Sequence, residues 1–177
     1  MQPRRTRRRT FFRDHAAIRA AGADDAEALA RIYNHYIEST IITFEEEAID
    51  AGEMTRRIDD VAAATLPWLV AERDGDVVGF AYASKWKGRC AYRYSVETTV
   101  YVDHRCPRQG LGSLLYGALL PRLKDAGLHA AIGGIALPND ASVALHERFG
   151  FEKVAQFKEV GFKFGRWIDV GYWEKLL

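Results

Sequence analysis

Glu97 stands inside the β-branched run SVETTVYV (95–102), and a basic, glycine-bearing turn, DHRCPRQGLGS (103–113), follows at once. A carboxylate within a strand is either half of a structural ion pair, with Arg89 or Arg93 as partner, or a proton acceptor whose pKa burial has raised. The turn suggests a second chemistry. Gly110 and Gly112 lack a Cβ, Arg105 and Arg108 carry charge, and a leucine-rich stretch of helical spacing follows. A helix mouth presents unpaired N–H groups and the positive end of the helix dipole, so this turn suits an anion such as a phosphate. G-x-G alone is a weak signal. Leu115 stands at the third glycine of the dinucleotide fingerprint, and the Walker lysine is missing.

Holding these groups together requires strand, turn and helix in a fixed order. HAAIRAAG (15–22) reads as a short first strand. The helix after it carries Leu29, Ile32, Tyr33, Tyr36 and Ile37 at helical spacing, with Asp24 as cap. Residues 40–50 follow neither period and read as a loop, and a second helix spans about 51–64. Two strand-like runs flank Asp74-Gly75, a strong hairpin signal. A strand is predicted over 91–102 and a helix over 110–126. Pro121 predicts a kink or an early end there, because it cannot donate to the Gly117 carbonyl. LHAAIGGIAL (128–137) reads as a buried strand. A helix capped by Asn139 or Asp140 and closed by Gly150 follows, then two strands about a turn at Gly165. The expected fold is α/β, one mixed sheet covered by helices.

With 177 residues and a net charge of +1, the chain fits one ordinary domain. Six of its 25 lysines and arginines lie in residues 1–13, which hold no acid, leaving 19 basic against 24 acidic residues elsewhere. Residues 1–14 therefore read as an arginine-rich, solvated tail and 15–177 as the domain. No apolar run is long enough to span a bilayer, so no membrane partner is expected. Cys90 and Cys106 show neither metal-ligand spacing nor a disulfide framework, and the five histidines form no His-x-x-x-His pair. The reading is a cytoplasmic protein without a metal.

Strand, R-x-x-R-x-G-x-G, then a leucine-rich helix resembles the acetyl-CoA pyrophosphate loop of the GNAT superfamily of N-acetyltransferases. LPNDASVALHERFGF (137–151) resembles that family's second signature. The stretches NHYIESTIITF, ETTVYV, GLGSLLY and GFKFGRWIDVGYW are similar to those of phosphinothricin and methionine sulfoximine/sulfone N-acetyltransferases, and the likeness runs from about residue 17 to 177. One departure is Pro107, which stands at the loop's usual Gln/Arg position and shifts phosphate binding toward Arg108 and the backbone.

The resemblance implies a GNAT fold with splayed central strands, acetyl-CoA as co-substrate, a homodimer, and Glu97 as general base for amide formation. Peptide groups of Val100 and Val102, with an N–H near Thr99, would hold the acetyl-pantetheine. The amides from Arg108 through Gln109, Gly110, Leu111 and Gly112 to Ser113, with Arg105 beside them, would hold the diphosphate. Asn139 and Ser142 match pantetheine contacts, with helix capping as the alternative. His146 stands where many members protonate the departing thiolate, with core packing as the alternative and Tyr116 as a weaker substitute. Lys87, Arg89 and Tyr92 match the acceptor pocket, with Phe44 as a wall; Tyr101 faces either that pocket or the core, and its parity with Glu97 supports the pocket. Two cations and a phenol suit a carboxylate plus a phosphinate, sulfone or sulfoximine oxygen. Strand alternation places Glu97, Thr99 and Tyr101 on one face. A peptide N-terminus or a polyamine is the alternative acceptor, although a polyamine would want acids where Lys87 and Arg89 stand. An acetyl-CoA-sensing, nucleic-acid-associated protein is the reading from another class, and nucleic acid is not the expected partner.

Overall fold

A computed structural model describes residues 16–177; the arginine-rich tail expected over 1–14 lies outside them. Seven strands form one sheet in the order β1-β2-β3-β4-β5-β7-β6. These are β1 (Ala17–Ala20), β2 (Trp68–Arg73), β3 (Asp76–Lys85), β4 (Ser95–Val102), β5 (Ala130–Ala136), β6 (Glu152–Lys163) and β7 (Arg166–Leu176). The helices are α1 (Ala26–Ser39), α2 (Ala51–Ala63), α3 (Leu111–Asp125) and α4 (Asp140–Arg148). Every strand pair is antiparallel except β4–β5.

Local chemistry sets the connections. Asp74 and Gly75 both adopt positive φ, 53° and 85°, the requirement of a tight two-residue hairpin turn. Gly165 closes the β6–β7 hairpin with φ 72°. Asp50 caps α2, its carboxylate accepting from Glu53 N at 2.8 Å. Asn139 caps α4 in the same way through Ser142 N at 3.2 Å. The start of α1 differs from expectation. A 3-10 turn over Ala23–Asp25 precedes it, and Asp25 rather than Asp24 holds the corner, accepting from Gly22 N at 2.8 Å while paired to Arg19.

Period-two alternation divides the apolar residues between two faces. Leu69, Ala71, Ala81 and Ala83 bury against α3, while Trp68, Val70, Phe80 and Tyr101 bury against α1 and α2. α3 runs through Pro121 to Asp125, so the expected early end does not occur. Leu119 and Leu123, on either side of the proline, are fully buried. Burying such leucines contributes about 1.5–3 kcal/mol each, enough to offset a proline cost of about 3 kcal/mol. The strand expected from 91 begins at Ser95, because Cys90–Tyr92 close a 3-10 turn with Tyr92 N donating to Arg89 O at 3.0 Å.

The parallel pair creates the site. β4 and β5 register only at Ser95–Ala130, Val96–Ala131 and Glu97–Ile132. β4 continues to Val102 and β5 to Ala136 without further pairing, so the sheet opens in its middle.

Candidate active site

Two adjoining cavities occupy this opening. A cleft of about 530 Å³ lies between the end of β4, the 104–110 turn, the start of α3 and one face of α4. A chamber of about 220 Å³ lies deeper, walled by Glu97, Thr99 and Tyr101 of β4, by Ile42, Thr43 and Phe44 of the early loop, and by Ser142 and His146 of α4. Ile42, Val100, Tyr101, Asn139 and Ser142 border both, so the two adjoin.

One end of the cleft has the features that suit an anion. Gly110 caps α3 in the left-handed region, φ 75°, with no side-chain cap. The first amide to return into the helix is Leu114 N, donating to Gly110 O at 3.0 Å. The N–H groups of Leu111, Gly112 and Ser113 therefore stand at the cleft with the positive end of the dipole. Gly112 has a packing reason as well: an added Cβ would come within 3.1 Å of Leu145, which seats α4 on the first turn of α3.

Charge is distributed differently from expectation. Arg108 borders the cleft, but Arg105 does not. The carboxylate of Asp103 is fully buried and takes Arg105 for itself, through Nη2 at 2.7 Å and Nε at 3.0 Å, together with Arg31 at 2.8 Å. A buried carboxylate without cations would be costly, and this need decides the direction of Arg105. The side chain of Gln109 accepts from Arg73, so its share in the cleft is main-chain. Arg148, at the end of α4, supplies a cation that the sequence reading missed. It lines the cleft and donates to Ser113 Oγ at 3.4 Å. The available signal was a base in the last turn of a helix already capped toward the site.

Along β4, Asp103 N donates to Val78 O at 2.9 Å, so odd-numbered peptide groups face β3. Those of Val100 and Val102 face the opening, as expected. Thr99 N–H faces β3 and is not offered to the cleft, which corrects its expected role; only its side chain borders the chamber. The Val102 carbonyl already accepts from Tyr36 Oη at 2.5 Å, another contact the sequence reading missed.

In the chamber, Glu97 is half-buried, and among the described residues its carboxylate forms no ion pair. Arg93 donates instead to Cys90 O and stacks on Tyr94. Burial raises the Glu97 pKa above the ordinary carboxylate range, and the field of Lys87 partly opposes this. Gly134 of β5 lies so close that an added Cβ would sit 3.3 Å from Oε1.

His146 is buried, with Nδ1 2.8 Å from Ser142 O and Nε2 3.0 Å from the Tyr116 hydroxyl. Nδ1–H therefore donates to the carbonyl, and Nε2 accepts from Tyr116. Tyr116 Oη also lies 3.3 Å from Thr98 Oγ1. Burial lowers the His146 pKa. The imidazole lies across Gly133, where an added Cβ would be 2.3 Å from Nε2. Its surroundings favour a neutral, doubly engaged ring, the packing alternative, over a proton donor.

Phe44 and Tyr101 reach the chamber as expected, whereas Lys87, Arg89 and Tyr92 do not line it. They belong to the segment beyond β3, which the 3-10 turn carries toward solvent. Lys87 Nζ sits 4.6 Å over the Trp86 ring, and Arg89 and Tyr92 are exposed. Of the three, Lys87 alone acts on the chamber, through its field on Glu97.

A sheet opened between two parallel strands, free helix amides at one end of the gap and a half-buried carboxylate at the other define the class of GNAT acetyltransferases. The family model for the acetyltransferase (GNAT) domain matches residues 18–171. The chain is 45% identical to phosphinothricin N-acetyltransferase of Streptomyces viridochromogenes over 89% of its length and 86% of that protein's. It is 34% identical to the L-methionine sulfoximine/L-methionine sulfone acetyltransferase of Salmonella typhimurium, over 88% and 91% of the two chains. The crystal structure of a phosphinothricin acetyltransferase from Sinorhizobium meliloti in complex with AcCoA superposes with a TM-score of 0.89 at 33% identity, covering 92% of this chain and 89% of that one. The chain belongs to the phosphinothricin and methionine sulfoximine N-acetyltransferase family of GNAT enzymes and is an acetyl-CoA-dependent N-acetyltransferase.

Proposed function

We propose that the protein acetylates the α-amino group of a small amino acid or analogue of the phosphinothricin or methionine sulfoximine type, with Glu97 as general base. The observation that carries this is the half-buried Glu97 carboxylate at the wall of a small chamber that adjoins the cleft. Acetyl-CoA supplies the acetyl group as a thioester when bound. The residues fit it: the Leu111, Gly112 and Ser113 amides with Arg108 and Arg148 suit a diphosphate, and the Val100 peptide groups with the Val102 N–H on the unpaired edge of β4 suit the pantetheine amides.

Glu97 takes the proton that an ammonium must lose before its nitrogen is nucleophilic. Its raised pKa brings it closer to that of the amine, which favours the transfer. The neutral His146 and Tyr116 hold the wall opposite the β4 face. Neither is assigned the proton that a departing thiolate needs, because both His146 nitrogens are engaged; the second proton the nitrogen sheds on acylation balances that charge. The chamber's volume, about 220 Å³, favours a small acceptor over a peptide, which would need a longer groove. For the homodimer that the resemblance implies, Phe162, Phe164 and Trp167 of the β6–β7 hairpin, each more than half exposed, form the surface a second copy would cover.

The test is an acetyl-CoA assay with phosphinothricin, methionine sulfoximine, methionine sulfone, spermidine and short peptides. The amino-acid analogues are expected to exceed spermidine and peptides in kcat/KM by about tenfold or more. A peptide or polyamine turned over faster than every analogue would refute the acceptor assignment.

A further inference from the structure

Lys163, near the end of β6, is withdrawn from water almost entirely, at 2% exposure. Its Nζ donates to Thr43 O at 2.8 Å and lies 5.1 Å from the Phe164 ring centre. No carboxylate among the described residues lies within ion-pair distance of it; Glu45 and Glu46 act only through their fields. A buried ammonium with one hydrogen-bond acceptor is a costly arrangement, so stability alone does not account for it.

Its geometry suggests what it does. Gly161 lies two residues earlier on the same strand face. A Cβ there would fall 2.3 Å from Phe44 Cζ, so the ring rests flat on bare backbone. The end of β6 thus holds two consecutive residues of the early loop, Thr43 by its carbonyl and Phe44 by its ring. From the other side, the Tyr33 hydroxyl lies 2.8 Å from Thr43 Oγ1 and donates to Glu45 at 2.8 Å; Arg57 holds Glu45 in turn. Thr43 and Phe44 are chamber walls, bordering the same space as Glu97.

We infer that Lys163 and Gly161 are positioning residues that fix the Thr43–Phe44 wall and so set which acceptor fits beside Glu97. This rests on the reading that the chamber receives the acceptor. Neither residue borders the cleft, and of the 40–50 loop only Ile42 does, so their loss acts on the acceptor far more than on acetyl-CoA. Arginine would not replace Lys163 well, because its planar fork needs more than the single carbonyl on offer.

The test measures KM for methionine sulfone and for acetyl-CoA, together with acetyl-CoA affinity by calorimetry, in the wild type, Lys163→Met and Gly161→Ala. Met keeps the apolar stem and removes the donor; Ala displaces the Phe44 ring. Each variant is expected to raise the acceptor KM by about tenfold or more, while acetyl-CoA KM and affinity stay within about twofold. Acceptor KM unchanged in both variants overturns the proposal, as does an equal loss for acetyl-CoA, which would mark a general structural role. Should Lys163→Met fail to fold, Lys163→Gln and Gly161→Ala decide by the same split. Wild-type protein that binds acetyl-CoA yet acetylates no analogue overturns the acceptor reading, and this proposal with it. A working wild type with unaltered variants sinks only the wall.

Discussion

Glu97 illustrates the stability cost of a half-buried carboxylate with no ion-pair partner among the described residues. Its pKa is raised because burial penalises the ionised form, so the folded value exceeds the unfolded one. Such a group favours folding only where it is protonated, below its unfolded pKa, and that contribution is lost as pH rises through the folded value. Glu97→Gln removes the buried charge while keeping the shape. The variant is expected to lose turnover by about 100-fold or more at neutral pH while still binding acetyl-CoA. Its Tm should exceed that of the wild type at neutral pH, the difference vanishing below about pH 4, where the carboxyl is neutral in both states. Paired activity and thermal-denaturation profiles across pH check both; a Tm lower than wild type at neutral pH would show a stabilising partner for Glu97.

Among the elements, the start of α3 carries the amides that face the cleft, and their placement depends on Gly110. At φ 75° an L-residue is strained by about 1–2 kcal/mol, although nothing lies within 4 Å of the position of its Cβ. Gly110→Ala therefore tests conformation without a clash. Relief of that strain would rotate the first turn and its free amides. The expected outcome is acetyl-CoA binding weakened by about tenfold in calorimetry, with a modest drop in Tm. Affinity unchanged in a variant of lowered Tm would show that the amides do not hold the diphosphate.

For the whole molecule, Asp103 is the joint between layers. It follows β4, begins the turn toward α3, and reaches Arg31 of α1 as well as Arg105. These arginines and the Arg105 amide hold its pKa well below the usual carboxylate range. A depressed pKa stabilises above the unfolded value and is lost as pH falls through the folded one. Asp103→Asn keeps the shape and loses the charge, so Tm should fall by a few degrees at neutral pH, and the gap from wild type should narrow below about pH 4. Both arginines are partly exposed, which limits the effect through solvent screening. An identical gap at neutral and acid pH would mean that packing, not charge, makes this joint.

Much of this protein is written in local pattern. The leucine spacing of α3, the Asp74-Gly75 turn, the caps at Asp50 and Asn139 and the glycine turn after β4 each act within a few residues, where propensity and backbone geometry decide. Glu97 with its glycine turn could therefore be found by reading along the chain. What the tertiary structure alone decided is which side chains remain free once partners arrive from elsewhere. Asp103 claims Arg105, Tyr36 takes the Val102 carbonyl, Tyr116 and Ser142 engage His146, and Arg148 and Lys163 enter from distant elements. Those outcomes follow from the need to neutralise or hydrogen-bond every buried polar group, and the partners that do so are distant in sequence and adjacent only in space.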